Sequence, residues 1–418
     1  MNTTEQIFLM YTSGGIFSNM QSLGYYMKKS HILLLLAAIL VIVAVLFRTH
    51  FGIPGLFDPL AGRVDAIVAT CTSSSDNAAC YEHEVSALYP SLSVPEIFDI
   101  VRLLRKKDAT YQFCHVLAHK IGERVVAEDP ERWIDAIPLN PSDGLCSNGF
   151  IHGVVGGRFR AEVLDDATLQ KLLPDFRRAC EPRTGWKPSN LDQAICYHGL
   201  GHLYDFITNA NLSKALDICT QTTTETYRRV CIEGVFMQIY QPLEPDDFLM
   251  IEQMPVKPTK GTVRQFCARF GDTPAYEGAC LRESWPLHAG ITDGTGVESF
   301  CSGQPNEEEE NACYQSATAI IGRLSLGNPE KAASACEKLP QNRREICFGT
   351  AAQSVLEENR DDASSAIALC ARAEGPVARS CMTMLAAQAT FIFGHNKPEM
   401  NAFCAALPAD IRAQCGLF

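Results

Sequence analysis

The segment Ala335–Cys370, ACEKLPQNRREICFGTAAQSVLEENRDDASSAIALC, decides the fold of this chain. Cys336 ends an alanine-rich stretch, a turn containing Pro340 follows, and Cys347 opens the next stretch rich in alanine and leucine. Apolar stretches of about a dozen residues that alternate with polar turns indicate short helices. The segment therefore predicts a pair of helices in which a disulfide joins the end of one helix to the start of the next.

The same unit recurs along the C-terminal part of the chain. Its first cysteines, Cys301, Cys336, Cys370 and Cys404, are 35, 34 and 34 residues apart. A fixed period of this length is typical of two-helix repeats that stack into a solenoid. We therefore expect an all-α fold: a disulfide-stapled α/α-repeat solenoid.

The 18 cysteines of this 418-residue chain all lie between Cys71 and Cys415, and their even number fits a disulfide framework. Eight pairs follow the rule of helix end to helix start, while the two remaining cysteines each open a helix and would bridge adjacent helix starts. The predicted pairs are Cys71–Cys80, Cys114–Cys146, Cys180–Cys196, Cys219–Cys231, Cys267–Cys280, Cys301–Cys313, Cys336–Cys347, Cys370–Cys381 and Cys404–Cys415. Because a repeat contacts only its neighbours, each short closed loop should stabilise it by roughly 2–4 kcal/mol.

The period and the helix-pair layout resemble those of tetratricopeptide-like helical-repeat proteins over roughly residues 66–418. The Trp, Gly-Tyr and Pro signature positions of that family are not recognisable in this sequence. The resemblance therefore implies an architecture only, and no peptide-binding residue is carried over from the family.

Composition and motifs exclude several classes of protein. Net charge is −12, so a broad nucleic-acid-binding surface, which needs a basic stripe, is not expected. The closest cysteines are nine residues apart, and the absence of any CxxC motif excludes zinc ribbons, thioredoxin-type sites and covalent haem attachment. The sequence also lacks a GxSxG elbow, a P-loop, an HExxH motif and a dinucleotide-binding fingerprint.

An unbroken apolar run, Ile32–Phe47, follows Lys28 and Lys29. With some tilt this run is long enough to span a bilayer, and the two lysines predict that its N-terminal side is cytoplasmic. We favour an uncleaved signal anchor, because no convincing cleavage site follows the run; a cleaved signal peptide is the alternative. Met27, directly before the lysines, is an alternative start of the chain.

The predicted organisation follows from this single-pass topology. Residues 1–31 form a short cytoplasmic segment, 32–48 the transmembrane signal anchor and 49–65 a juxtamembrane linker. The solenoid comprises a part rich in histidine and glycine (66–262) and the regular repeats (263–418). All of the solenoid would then lie outside the membrane, periplasmic or at the cell surface, where disulfides persist. The proline-rich end of the first part, 241–262, is interpreted as an inserted surface loop.

Five of the ten histidines lie near the starts of three cysteine-opened helices. His115 and His119 share one helix, His152 lies on the next, and His198 and His202 share the third. Residues four apart lie on one face of a helix, so these side chains form a stripe across stacked helices. Other residues occupy equivalent positions on the stripe. Asn148 lies four residues before His152, and the helix after that of His198 and His202 carries Glu233 and Met237 in place of two histidines.

Such a stripe suits a metal ion, because Zn²⁺ takes three or four N, O or S ligands and a His pair at i and i+4 supplies two. We expect a first metal on His119, His152 and His202. His115, His198, Glu123 and Glu233 are candidates for a second metal or for supporting hydrogen bonds, and the two glutamates are candidate general bases. Zn²⁺ is favoured, with Cu or Fe as alternatives. A buried hydrogen-bonded polar network without metal is the other interpretation.

Glycine is frequent in these helices, although each glycine costs about 0.5–1 kcal/mol relative to alanine. Close helix packing or room for a ligand would explain its use. The glycines concerned are Gly122, Gly149, Gly153, Gly156, Gly157, Gly199, Gly201 and Gly234.

Two hypotheses of function follow. The first is a membrane-anchored extracytoplasmic protein with a histidine-rich metal site, or a metal-dependent enzyme of hydrolase type. The second is a non-catalytic surface scaffold that binds a protein, peptide or glycan partner on its concave face, with structural histidines.

Overall fold

The computed structural model describes residues 59–108, 111, 113–159, 162–325 and 327–416. The described residues are helical and contain no β-strand beyond one isolated bridge between Arg183 and Trp186. The predicted cytoplasmic segment, the signal anchor and most of the linker lie outside the described residues. Among the residues that are described, no helix has the length and apolarity that a bilayer crossing requires.

The helices succeed one another along the chain with short connections. They are α1 Pro59–Cys71, α2 Asn77–Ser86, α3 Val94–Lys107, α4 His115–Glu128, α5 Trp133–Ala136, α6 Gly149–Phe159, α7 Asp166–Ala179, α8 Asn190–Ile207, α9 Leu212–Thr222, α10 Glu225–Tyr240, α11 Pro245–Gln253, α12 Val263–Cys267, α13 Pro274–Glu283, α14 Val297–Cys301, α15 Glu307–Leu324, α16 Pro329–Glu337, α17 Gln341–Glu358, α18 Ser364–Arg372, α19 Pro376–Phe393, α20 Lys397–Ala406 and α21 Ala409–Arg412.

All eighteen cysteines are in disulfides, and the nine bonds join the pairs that the spacing predicts. In most of the regular repeats the bond ties the end of a short helix to the first turns of a longer one, as Cys336–Cys347 ties α16 to α17. The last bond, Cys404–Cys415, instead joins α20 to a turn after α21. Cys114–Cys146 instead joins the starts of α4 and α6. Most of the cysteines are fully buried, so the bonds are part of the core.

Eight helices, one from each of the successive helix pairs, line a common cavity, and we call them the inner helices. They are α4, α6, α8, α10, α13, α15, α17 and α19. Each inner helix packs against the next one along the chain, which is compatible with a helical-repeat solenoid. Alanine is common at these contacts in the C-terminal repeats, as at Ala351 and Ala386, where it allows close approach around large side chains such as Phe348 and Leu385.

The last inner helix, α19, also packs against an early one, α8. Arg360, only 4 % exposed, strengthens this return contact: its guanidinium reaches Asp192 at 2.7 Å, and its backbone N–H donates to the carbonyl of Asp143 at 3.0 Å. The period of the cysteines does not predict such a contact, because it depends on residues about 170–220 positions apart in the sequence. As a result, the cavity is bordered by inner helices from both halves of the unit Ala66–Phe418.

Candidate metal centre

The five predicted histidines all line one cavity of about 770 Å³. They project from α4, α6 and α8, which pack in that order. The remaining inner helices contribute amide and carboxyl side chains to the wall, among them Gln315, Gln353 and Glu357. The stripe predicted from the sequence therefore faces an internal space large enough for a small organic molecule.

His115 and His119 form a close pair on α4, with their Nε2 atoms 3.0 Å apart. Nδ1 of His115 lies 3.1 Å from the carbonyl oxygen of Cys146, and Nδ1 of His119 lies 2.8 Å from Oε1 of Glu244. A carbonyl or carboxylate oxygen only accepts hydrogen bonds, so both Nδ1 atoms carry the proton. Each Nε2 atom then presents a lone pair to the other, and a proton or a cation is needed between them.

The carbonyl of Cys146 is positioned by an uncommon backbone. Cys146, Ser147 and Asn148 have φ angles of 57°, 53° and 58°, in the left-handed region that side chains other than glycine seldom adopt. The disulfide to Cys114 and a hydrogen bond from Asn140 to the Asn148 side chain (2.8 Å) hold this turn. Such turns are kept where the surrounding structure and a function require them, and here the turn fixes the tautomer of His115.

The segment 241–262, predicted as a surface loop, contains the helix α11 and supplies the partner of His119. Glu244 is 2 % exposed, and its second oxygen accepts from Lys120 Nζ at 2.6 Å. A carboxylate on the distal ring nitrogen orients an imidazole and raises its basicity, which is the usual support of a metal-binding histidine. No sequence motif marks Glu244, because it reaches His119 only through the fold, 125 residues away along the chain.

The pair on α8 repeats this arrangement. The Nε2 atoms of His198 and His202 are 3.2 Å apart. Nδ1 of His198 faces the carbonyl of Val230 at 3.1 Å, and Nδ1 of His202 faces the side-chain oxygen of Gln238 at 2.7 Å. The acceptor carbonyl again lies at the second cysteine of a pair, since Val230 precedes Cys231. The two helix pairs, α4–α6 and α8–α10, thus present their histidines in the same way.

His152 lies between the two pairs. Its ring centroid is 5.2 Å from that of His115, 5.4 Å from His119 and 5.1 Å from His202. Its Nε2 atom is buried and has no hydrogen-bond partner. His115, His119 and His152 each offer a ligand atom within 4.8 Å of the others, so these three residues could hold a metal ion. The predicted grouping of His119 and His152 with His202 stays a prediction.

Two glycines make this proximity sterically feasible. A Cβ on Gly153 would lie 2.6 Å from the Cα of His119, and a Cβ on Gly199 would lie 2.7 Å from Cδ2 of His152. Only glycine at these two positions allows α4, α6 and α8 to bring their imidazoles together. Gly156, by contrast, has open space where a Cβ would be.

Burial and mutual repulsion keep four of these imidazoles neutral. Burial, reinforced by the neighbouring histidines, holds the pKa of His115 and of His152 well below the usual value. Burial likewise lowers the pKa of His198 to about 3 and that of His202 to about 4. Neutral imidazole is the form that binds a metal ion, so the rings need not lose a proton at neutral pH.

The two predicted general bases lie in ion pairs. The Glu233 carboxylate lines the cavity and accepts from Arg282 at 2.8 Å, and Arg282 is itself buried and also paired with Glu309. Glu123 accepts from Lys120 at 3.2 Å and is not among the residues that line the cavity. Neither pairing tests a role in proton transfer, which stays a prediction.

Glu283 is a titratable residue that the sequence did not reveal. It lines the cavity at the end of α13, and burial next to Glu233 raises its pKa to about 8. A carboxyl group that is protonated at neutral pH is suited to donate a proton or a hydrogen bond to a ligand in the cavity. Its position one residue after Arg282, in a helix without a distinctive motif, gave no signal.

In comparisons with known proteins, no protein-family model, no curated protein and no solved structure matches this chain.

Proposed function

We propose that this protein binds a metal ion in the cavity through His115, His119 and His152, and that the ion is Zn²⁺. The unpartnered Nε2 atom of His152, next to two Nε2 lone pairs 3.0 Å apart, carries the proposal. Nitrogens that share one tetrahedral ion at about 2.05 Å lie roughly 3.3 Å apart, so a small adjustment of the rings accommodates it. A hydrogen-bonded network without metal would leave the ring of His152 unsatisfied at a cost of about 1–3 kcal/mol.

The donor set favours Zn²⁺. Three imidazoles, one of them supported by a carboxylate, form a set that leaves a fourth position for a ligand. The alternatives, Cu and Fe, also bind imidazole, and elemental analysis distinguishes them.

The wider proposal is a metal-dependent hydrolase located outside the cytoplasm. Zn²⁺ bound by three imidazoles supplies a Lewis acid and lowers the pKa of a water ligand to near 7. Glu283 is the residue we propose as proton donor, and the amides of Gln315 and Gln353 would orient a polar substrate. Nine disulfides support an oxidising compartment, and anchoring by residues 32–48 belongs to the same proposal.

Elemental analysis of the purified full-length protein tests metal binding. We expect at least one equivalent of Zn²⁺, and we expect H119A and H152A to lose it while H395A, in which an exposed histidine is replaced, keeps it. Protein that is folded, metal-free and unchanged in melting temperature by added Zn²⁺ or by a chelator would refute the proposal.

Turnover of ester and phosphoester panels tests the enzymatic part separately. The wild type should hydrolyse at least one class at a rate that E283Q reduces without changing the zinc content. Equal rates of hydrolysis by the wild type and H119A on every substrate would refute the hydrolase proposal without refuting the metal site.

The scaffold hypothesis also has an observation in its favour. The segment 241–262, which contains α11, exposes apolar side chains, with Phe248, Leu249 and Val256 each about half exposed. Exposed apolar groups close together mark interaction surfaces. A partner protein, peptide or glycan that binds the wild type and not F248S/L249S, with the zinc content unchanged, would support a scaffold function; equal binding by both would refute it.

A further inference from the structure

The histidine pair on α8 has a third electron-donating neighbour of a different chemical type. Sδ of Met237, on α10, lies 3.2 Å from Nε2 of His198, and this Nε2 is also 3.2 Å from Nε2 of His202. All three residues line the cavity. We propose that His198, His202 and Met237 form a second metal site and that its ion is Cu(I).

The protonation of the two rings supports a cation at this place. The carbonyl of Val230 requires a proton on Nδ1 of His198, and the side-chain oxygen of Gln238 takes the proton on Nδ1 of His202. Both Nε2 atoms therefore present lone pairs, and they face each other and a thioether sulfur that has no proton to give. Ligand atoms that share one ion at roughly 2.0–2.3 Å lie about 3.3–3.6 Å apart, close to the distances found.

The thioether of Met237 distinguishes the ion of this second site from the Zn²⁺ ion proposed at the histidines of α4 and α6. Thioether sulfur is a soft, uncharged ligand that selects Cu(I), whereas imidazole alone suits Zn²⁺ as well as copper. The groups that accept from the Nδ1 atoms differ between the two sites in the same way. At the zinc site Glu244 is a carboxylate, whereas Val230 and Gln238 at the second site both offer neutral oxygens. A neutral donor set is suited to a monovalent ion, and the carboxylate-supported set is suited to a divalent one.

Cysteine does not compete for copper in this chain. All eighteen cysteines are in disulfides, so no thiolate is present to bind Cu(I) elsewhere. Met384 lines the same cavity from α19 and has no hydrogen bond to a histidine among the contacts of the described residues. It therefore provides a matched control for Met237.

The experiment measures Cu(I) binding by the full-length protein under anaerobic conditions, in competition with a chromogenic Cu(I) chelator and with Zn²⁺ already present. We expect one equivalent of Cu(I) bound by the wild type, with one sulfur and two nitrogen neighbours in its X-ray absorption spectrum. We expect M237L to weaken Cu(I) binding by at least tenfold with less than a twofold change for Zn²⁺. M384L should match the wild type for both ions.

Three results would overturn the second site: no Cu(I) bound, no sulfur neighbour in the wild-type spectrum, or equal Cu(I) affinity for M237L and the wild type. The first result would mean that Gln238 donates from its amide nitrogen and completes a proton-based network. The wild-type spectrum decides the matter even if M237L does not fold. Because H119A removes a ligand of the zinc site only, failure of that site leaves the Cu(I) result unchanged, and the two proposals fail separately.

Discussion

The carboxylate of Glu244 provides a test of whether the histidines on α4 are metal ligands. It accepts from His119 Nδ1 at 2.8 Å and from Lys120 Nζ at 2.6 Å, and it does not touch the proposed ion itself. E244Q keeps an oxygen for the imidazole and removes the negative charge, whereas E244A removes the acceptor as well. Loss of such a supporting group lowers metal affinity by about 10–100-fold, equivalent to about 1.4–2.7 kcal/mol.

We therefore expect E244Q to weaken Zn²⁺ binding by about tenfold and E244A by about a hundredfold. Titration of metal-free full-length protein against a zinc chelator of known affinity measures both. E252Q is the matched control, because Glu252 is an exposed carboxylate on the same short helix, α11, and should leave the affinity unchanged.

Unfolding measurements without metal separate affinity from stability. If E244Q lowers the melting temperature of the metal-free protein but binds Zn²⁺ as tightly as the wild type does, Glu244 is a structural residue only. In that case the inference that His119 is a ligand held by a carboxylate is wrong.

Three further predictions concern packing, pH and disulfides. G199A should lower Zn²⁺ affinity at least tenfold, because the added methyl group displaces the imidazole of His152. G156A should stabilise α6 by about 0.5–1 kcal/mol and leave the affinity unchanged. Zinc titration and thermal unfolding of both variants measure these effects. Burial raises the pKa of Asp205 from 3.8 to about 8, so the folded state binds its proton more tightly and the wild type should lose stability as pH rises from about 4 to 8. D205N should remove that loss of stability, measured by urea unfolding at several pH values. If the free energies of unfolding of D205N and the wild type change with pH in parallel, the prediction is wrong. Replacing Cys404 and Cys415 by serine opens a loop of 11 residues and should cost about 3 kcal/mol, seen by hydrogen exchange as local opening of α20 and α21 with metal affinity unchanged.

Local sequence patterns predicted the features of this fold that are themselves local. Cys336 and Cys347 are 11 residues apart, and the turn between them places a helix end beside a helix start, so their spacing was enough to pair them. The same reasoning placed the five histidines on one stripe, because i and i+4 positions on consecutive helices share a face. Position along the stripe did not determine which rings meet. His202 pairs with His198 on its own helix, while His152 lies between the pairs.

Contacts between distant residues could not be predicted in this way. Glu244 reaches His119 across 125 residues, and Arg360 reaches Asp192 across 168. Met237 was in register with the histidines, but a methionine at a helical position is far more often a core residue, so its sequence position alone did not indicate a ligand. The unusual backbone before α6 was equally hidden, since Cys146 carries no local sign of a left-handed conformation.

The disulfides and the histidines fit together energetically. Five imidazoles, four of them in two pairs whose Nε2 atoms face each other, are a costly group to enclose. Helices that pack mainly against their neighbours along the chain open easily at such a place. Cys114–Cys146 and Cys219–Cys231 close loops next to the two histidine pairs, and Cys146 and Val230 beside those bonds supply the carbonyls that fix the tautomers. The covalent bonds thus hold the rings in the positions that the proposed metal sites require. Removing metal should therefore leave this protein folded, unlike a zinc finger, whose fold depends on its ion.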